Sequence, residues 1–446
     1  VKRASYVALV IALVTSIACH AAPYTTTPAA TPRVVTGDPV GEAYQLLVQR
    51  SVEPVDPAKL AAAGVQGLRV ALMVNGIAPA TVPSPAFGND PSQDQSQLDA
   101  VVSETARQYA SKVTVAQADD AVIDAMAASI DDCHTAYFTP QQYTQQQQWI
   151  QGQVQFGGIG ASLRKPKPTE PLVIWRVFSG SPADKAGLKD GDVIQAVDGR
   201  DVSSFSVQTV VDLIRGPVGQ PVRLTIQSQG QSSGRLVTIV RAQIQPPNVE
   251  YRMLANQIGY IQLYGFPGNA ASDMRQALDA LDRQGAKAWI LDLRDNGGGS
   301  LDAVTQVASM FVPGGTLMYY LYDSNSQRTD YKADGSIRSH VLPMAVVVND
   351  GTGSGGEIFA AVLREQGVAR VVGQTTAGCV GTGQIFGLDG GAGLQVTVAQ
   401  LLTGQGKVLN KVGVVPDVAV PMTYEDLIAG QDPQIQRAVK YLQTGA

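Results

Sequence analysis

The sequence is short of charge, of histidine and of cysteine. Charged residues make up 16% of its 446 positions, and nowhere do lysine and arginine gather into a run. A chain of formal charge −5 with no basic stripe has nothing with which to neutralise a phosphate backbone, which argues against nucleic acid as a partner. No internal period of solenoid length occurs, and beyond the N-terminal residues no apolar run is long enough to span a bilayer. What is present is 44% hydrophobic residues, enough for roughly two or three domains with buried cores, in a composition neither disordered nor collagen-like.

Lys2 and Arg3 precede an apolar run over residues 7–14 and a small-residue stretch ending at Cys19. That is the layout of a secretory signal, so residues 1–22 are expected to be a leader and the mature chain extracytoplasmic. Ile17-Ala18-Cys19 suits lipidation at Cys19, Ala21-Ala22 suits ordinary cleavage, and an uncleaved apolar anchor is the third reading. Membrane contact is expected only through this segment. Residues 23–37, mostly Thr, Pro and Ala, read as a linker.

Residues 38–150 are helical in pattern: Ala43, Leu46 and Leu47, then Val122, Ile123, Met126 and Ile130, recur at helical spacing. Residues 151–245 change character. An apolar strand at 172–178, a helix start at Ser181-Pro182, a hairpin turn at Asp198-Gly199 and a helix carrying Val207, Val210, Val211 and Ile214 follow one another. This block resembles a PDZ domain, and the resemblance places the carboxylate-binding loop at Gly158, Ile159, Gly160 and Ala161. Such a loop converges backbone N–H groups on the carboxylate ending a peptide. From 246 to 446 strands and helices alternate, as in an α/β core.

Two strand-turn-helix units in that core point to chemistry. Residues 345–348 form an apolar strand, 349–356 a Gly and Ser loop, and 357–365 a helix. Ser354 stands at the turn, beside free N–H groups and the positive end of a helix dipole, where an oxyanion is stabilised. Alone, such a turn is more often just a tight bend. The second unit has a strand at 289–293, then Asp295-Asn296-Gly297-Gly298-Gly299, then a helix from 301. Its glycines leave N–H groups free, so Gly298 and Gly355 are the expected oxyanion donors. No Lys-Ser or Lys-Thr pair follows the glycines, which sets a phosphate loop aside.

Taken with Ile258-Gly259-Tyr260-Ile261, Leu291-Asp292-Leu293-Arg294 and Gly413-Val414-Val415-Pro416-Asp417, these units resemble the carboxyl-terminal processing, or tail-specific, proteases over almost everything after the linker. The resemblance implies a multidomain α+β and α/β fold: a helical segment, a β-rich PDZ domain, and a crotonase/ClpP-like α/β catalytic core. It implies a serine-type endopeptidase acting on protein or peptide substrates with free C-termini, Ser354 as nucleophile, and no metal or organic cofactor. It also suggests that the PDZ domain gates the site.

Most members of that family pair the serine with a lysine. Here the matching segment is Ala377-Gly378-Cys379-Val380, so Cys379 stands at the lysine position, with Gln384 for the glutamine that follows. The base is therefore sought among His134 and His340. His134, in Asp131-Asp132-Cys133-His134-Thr135, resembles the base of the Ser-His-Glu branch, and histidine suits proton transfer near neutrality. The branch's orienting glutamate matches Asn410; Lys407 and Lys411 nearby read as solvated loop residues. The same placement puts Cys133 beside His134 and Cys379 behind Ser354, which suggests a disulfide between them, or else two inert thiols. Two further readings stand beside this one: Cys379 as the nucleophile, and a non-catalytic peptide- or ligand-binding module.

Overall fold

The computed structural model of the chain describes residues 37–153, 155–165 and 169–445; the expected leader, with Cys19 and His20, and all but the last residue of the expected linker lie outside them. Helices Pro39–Arg50, Pro57–Val74, Pro91–Gln108 and Val115–Ala128 begin at Asp38, Asp56, Asp90 and Thr114, whose side chains accept first-turn N–H groups. Their apolar faces, among them Leu47, Leu68, Leu98 and Met126, close on one core. That core also takes in Leu388, Leu394 and Val396 from the far half of the chain. The helical region is therefore packed on the back of the core that follows it.

After these helices the strand Ala136–Phe138 joins a five-stranded antiparallel sheet, with Ala136 opposite Gln395 on Gly393–Thr403. The sequence pattern shows only helix here, because three residues carry no measurable period and the partner strand is remote. This strand carries the 129–135 loop, and His134 with it, into the core.

The second sheet has six strands in the order Val249–Leu254, Ile258–Leu263, Ala288–Asp292, Met344–Val348, Ala369–Gly373, Val418–Ala419, parallel after the first pair. Three central strands are buried along their whole length, as expected of parallel strands covered on both faces. Helices Ala270–Arg283, Leu301–Ser309 and Gly355–Glu365 make the crossovers. Both glycine turns leave this sheet at the C-terminal ends of adjacent parallel strands, which is where such folds gather function. Below the first turn, Arg294 is buried against Asp292 at 2.5 Å and Asp432 at 2.8 Å. Burial alone would raise the Asp292 carboxyl, but the Arg294 guanidinium holds it below the ordinary range.

Between these halves lies a β-rich block. Strands Ala161–Arg164, Leu172–Val177, Val193–Val197, Pro221–Gln227 and Arg235–Val240 form its sheet. Phe156–Gly158 pairs with Ala242–Ile244 at its neck. Asp198 and Gly199 both take positive φ in the hairpin turn, as the sequence suggested. Ser181 caps the short helix Pro182–Lys185, and helix Val207–Ile214 lays Val210 and Ile214 into the block's core.

Candidate active site

Ser354 occupies a backbone conformation that L residues rarely adopt, with φ 48° and ψ −119°, and is buried. A non-glycine residue stays there only if its surroundings hold it. The Ser354 N–H is held by Cys379 O at 2.9 Å and Glu357 Oε2 at 3.0 Å. Glu357 has no exposed surface. Its carboxylate also accepts from Thr376 Oγ1, from Gly378 N–H at 2.8 Å and from Cys379 N–H at 2.9 Å. Burial pushes this carboxyl up and the four donors oppose the shift. One side chain thus locks the serine turn to the loop around Cys379; the sequence showed Glu357 only as the start of a helix.

The two glycine turns touch. A Cβ on Gly298, whose φ is 103°, would lie 2.6 Å from Gly355 N and 2.8 Å from Ser354 Cβ, so only glycine fits. Gly355 N–H has no acceptor among the described residues and points from the start of its helix, as an oxyanion donor must. Gly298 departs from expectation. Its N–H donates to Asn296 Oδ1 at 2.9 Å, because the buried Asn296 turns inward to give its Nδ2 to Leu263 O, leaving Oδ1 facing the loop.

His134 and Ser354, distant in sequence, meet: His134 Nε2 lies 3.3 Å from Ser354 Oγ. The backbone around His134 is fixed by Asp132, whose Oδ1 accepts the N–H groups of His134 at 2.7 Å and Thr135 at 2.6 Å. Gln395 Nε2 donates to His134 O at 2.7 Å from the adjoining strand. The imidazole is buried, and desolvation pushes its pKa down to about 4 against the opposing field of Asp132. It is therefore neutral at ordinary pH, the state in which it can accept a proton.

Behind the imidazole, Cys133 and Cys379 are joined as a disulfide, with Cα atoms 5.8 Å apart. Its sulfurs stand 3.3 Å and 3.8 Å from His134 Nδ1. Asn410, expected to orient the ring, does not reach it. Its Oδ1 instead accepts from Val380 N–H at 3.4 Å, since the disulfide fills the space next to Nδ1. Lys411 pairs with Asp131 on exposed surface, Lys407 reaches in to the buried carboxylate of Glu365, and His340 lies against Asp282, away from the serine.

The β-rich block reaches this site through Arg164, at the end of its Ala161–Arg164 strand. The guanidinium pairs with Asp350 at 2.9 Å and Asp295 at 3.4 Å, one acid on each glycine turn. In the Gly158–Ala161 loop the carbonyls of Ile159 and Gly160 point inward, onto the N–H groups of Ala183 and Phe178. In a trans peptide the N–H lies opposite the carbonyl, so the N–H groups of Gly160 and Ala161 face the other way.

Paired glycine turns on one parallel sheet, one presenting a serine, with a β-rich domain between the halves of the chain, define the class as serine peptidases with a PDZ domain. Residues 257–420 match the family description of peptidase family S41, and residues 148–227 match that of the PDZ domain. A carboxyl-terminal-processing protease of Synechocystis is 33% identical over 330 residues, covering 72% of this chain and 76% of the relative. The chloroplastic carboxyl-terminal-processing peptidase 2 of Arabidopsis thaliana is 34% identical over 315 residues, 68% of this chain but 60% of the relative's length. A solved structure from Bacteroides fragilis, assigned to the S41 proteases, superposes with a TM-score of 0.55 at 16% identity. It covers 94% of this chain and 100% of that one, a likeness of fold. The chain belongs to the carboxyl-terminal processing proteases of peptidase family S41.

Proposed function

We propose that the chain is an exported endopeptidase in which Ser354 is the nucleophile and His134 its general base. The observation that carries this reading is the 3.3 Å contact between His134 Nε2 and Ser354 Oγ, in a buried site where the imidazole is neutral. With its ring proton on Nδ1, His134 accepts the Ser354 proton through Nε2 as Oγ attacks the scissile carbonyl. It then returns that proton to the leaving amine. Gly355 N–H receives the oxyanion. Gly298 N–H joins it by leaving Asn296 Oδ1 when substrate enters the turn. On the family resemblance Cys379 stands where most members carry a lysine, which supports a histidine base in place of an amine base.

The PDZ block, taken as residues 151–245 between a helical region and the catalytic core, captures substrates by their free C-termini. The outward N–H groups of Gly160 and Ala161 support this, as does the open strand beside them, to which an extended peptide can add. Export rests on the leader pattern of residues 1–22, with the cell envelope or its exterior as the place of action.

The test is hydrolysis of casein and of an unstructured peptide by wild type, Ser354→Ala and His134→Ala. Wild type is expected to cut both, and each variant to lose activity by 10³-fold or more, on the order seen for triad members. Wild type cutting no better than Ser354→Ala would leave a peptide-binding module instead. A fully active His134→Ala would move the base to another residue.

A further inference from the structure

The three side chains at the rear of the site, Cys133, His134 and Cys379, offer two sulfurs and one nitrogen within 4.8 Å of one another. In a tetrahedral zinc site, metal–sulfur bonds of about 2.3 Å and metal–nitrogen bonds of about 2.0 Å put nitrogen and sulfur about 3.5 Å apart. The observed separations from His134 Nδ1, 3.3 Å and 3.8 Å, bracket that value. Only the two sulfurs are in the wrong relation, because they are bonded to each other. We propose that reduction of the Cys133–Cys379 disulfide creates a site for a soft divalent cation of the zinc class, held by both thiolates and His134 Nδ1, and that its occupation switches the peptidase off.

The chemistry balances simply. A dithiol reductant attacks the sulfur of Cys133, the exposed residue of the pair, supplies two electrons and two protons, and leaves as its own disulfide. The Cys133–Cys379 bond becomes two thiols. When the cation binds, both thiols lose their protons to solvent. The sulfurs then need to stand about 3.8 Å apart in tetrahedral geometry, which rotation about the two Cα–Cβ bonds can supply across a Cα separation of 5.8 Å. Thiolate and imidazole are the ligands that soft divalent ions select, and the buried Cys379 and His134 keep two of the three donors away from competing water. Exposed Cys133 gives the ion its entry path and leaves the fourth position to solvent.

Inhibition follows from the tautomer. A neutral imidazole that gives Nδ1 to a metal carries its proton on Nε2. That nitrogen faces Ser354 Oγ at 3.3 Å, so the ring becomes a donor toward the serine and cannot take its proton. The binding half of the proposal stands on geometry alone; the inhibition half rests on His134 being the base.

The experiment uses the full chain, reduced with a phosphine, desalted without oxygen, and titrated with Co²⁺ as the spectroscopic probe. The reduced chain is expected to bind one equivalent with thiolate-to-cobalt charge-transfer absorption, and the oxidised chain and the Cys133→Ser/Cys379→Ser double variant to show none. His134→Ala is expected to bind at least tenfold more weakly. Absence of the band in the reduced chain, or the same band in the double variant, overturns the site. Should reduction loosen the fold, Zn²⁺ is expected to raise the melting temperature of the reduced chain and leave the double variant unmoved; no rise overturns the site equally. In parallel, Zn²⁺ is expected to lower peptide hydrolysis by the reduced chain at least tenfold, reversibly with a chelator. Binding without inhibition overturns the switch and counts against His134 as base, while an oxidised chain that cuts nothing contradicts the proposed function and leaves the cobalt spectrum to decide the site.

Discussion

At the scale of single residues, the site depends on how far burial outweighs charge at His134. Desolvation dominates and Asp132 opposes it, leaving a pKa of about 4. A lowered pKa means that the ring stays neutral as pH falls, until it protonates near that value. The acid limb of kcat/KM for peptide hydrolysis is therefore expected near pH 4 rather than at the ordinary histidine value. Asp132→Asn keeps an oxygen for the His134 and Thr135 N–H groups but removes the opposing charge, so the limb should move to still lower pH. A pH-rate profile with its limb at 6.5, or one that Asp132→Asn moves upward, would contradict this. Ser354 was legible in the sequence because a strand, glycines and a helix frame it. Glu357 was not, since its part depends on four donors, two of them the N–H groups of Gly378 and Cys379, that only folding brings to it.

At the scale of elements, the two glycine turns act as one unit because they come from adjacent parallel strands. Gly298→Ala would set a Cβ against Gly355 N and Ser354 Cβ, forcing the turns apart. The proposed oxyanion donors would then part, and kcat on the folded enzyme is expected to fall by about 10²-fold or more with KM changed little; unaltered turnover would separate these turns from the chemistry. The parallel strands could be read from their apolar runs, such as Met344–Val348, because burial on both faces leaves a continuous signal. The antiparallel sheet that receives Ala136–Phe138 could not. Its register is a long-range pairing to which three half-buried residues contribute no pattern. Asn410 shows a related limit. A motif position gives its place along the chain, while the partner of its side chain, here Val380 N–H, is set by folding.

At the scale of the whole molecule, residues from three regions are held on one site. The disulfide ties the helical region to the core, and Arg164 ties the PDZ block to both glycine turns. The Arg164 pairs are partly exposed, so Arg164→Ala is expected to cost no more than about 1 kcal/mol of stability. Its effect should appear in function: kcat/KM for a protein ending in an apolar C-terminus should fall several-fold, while a peptide too short to reach the PDZ loop should be cut as before. Equal losses on both substrates would mean that Arg164 only braces the turns. The order of regions along the chain was readable, as was the PDZ pattern, because each has its own periodicity; the contacts between regions were not, being single charges and single cysteines.

The peptidase chemistry turns on the pairing of Ser354 with His134, and its decisive test is reaction of the intact, oxidised chain with a fluorophosphonate, followed by peptide mass mapping. One equivalent of label is expected, on Ser354, at a rate that falls at least about a hundredfold in His134→Ala. Label on another serine, or an unchanged rate in His134→Ala, would contradict it.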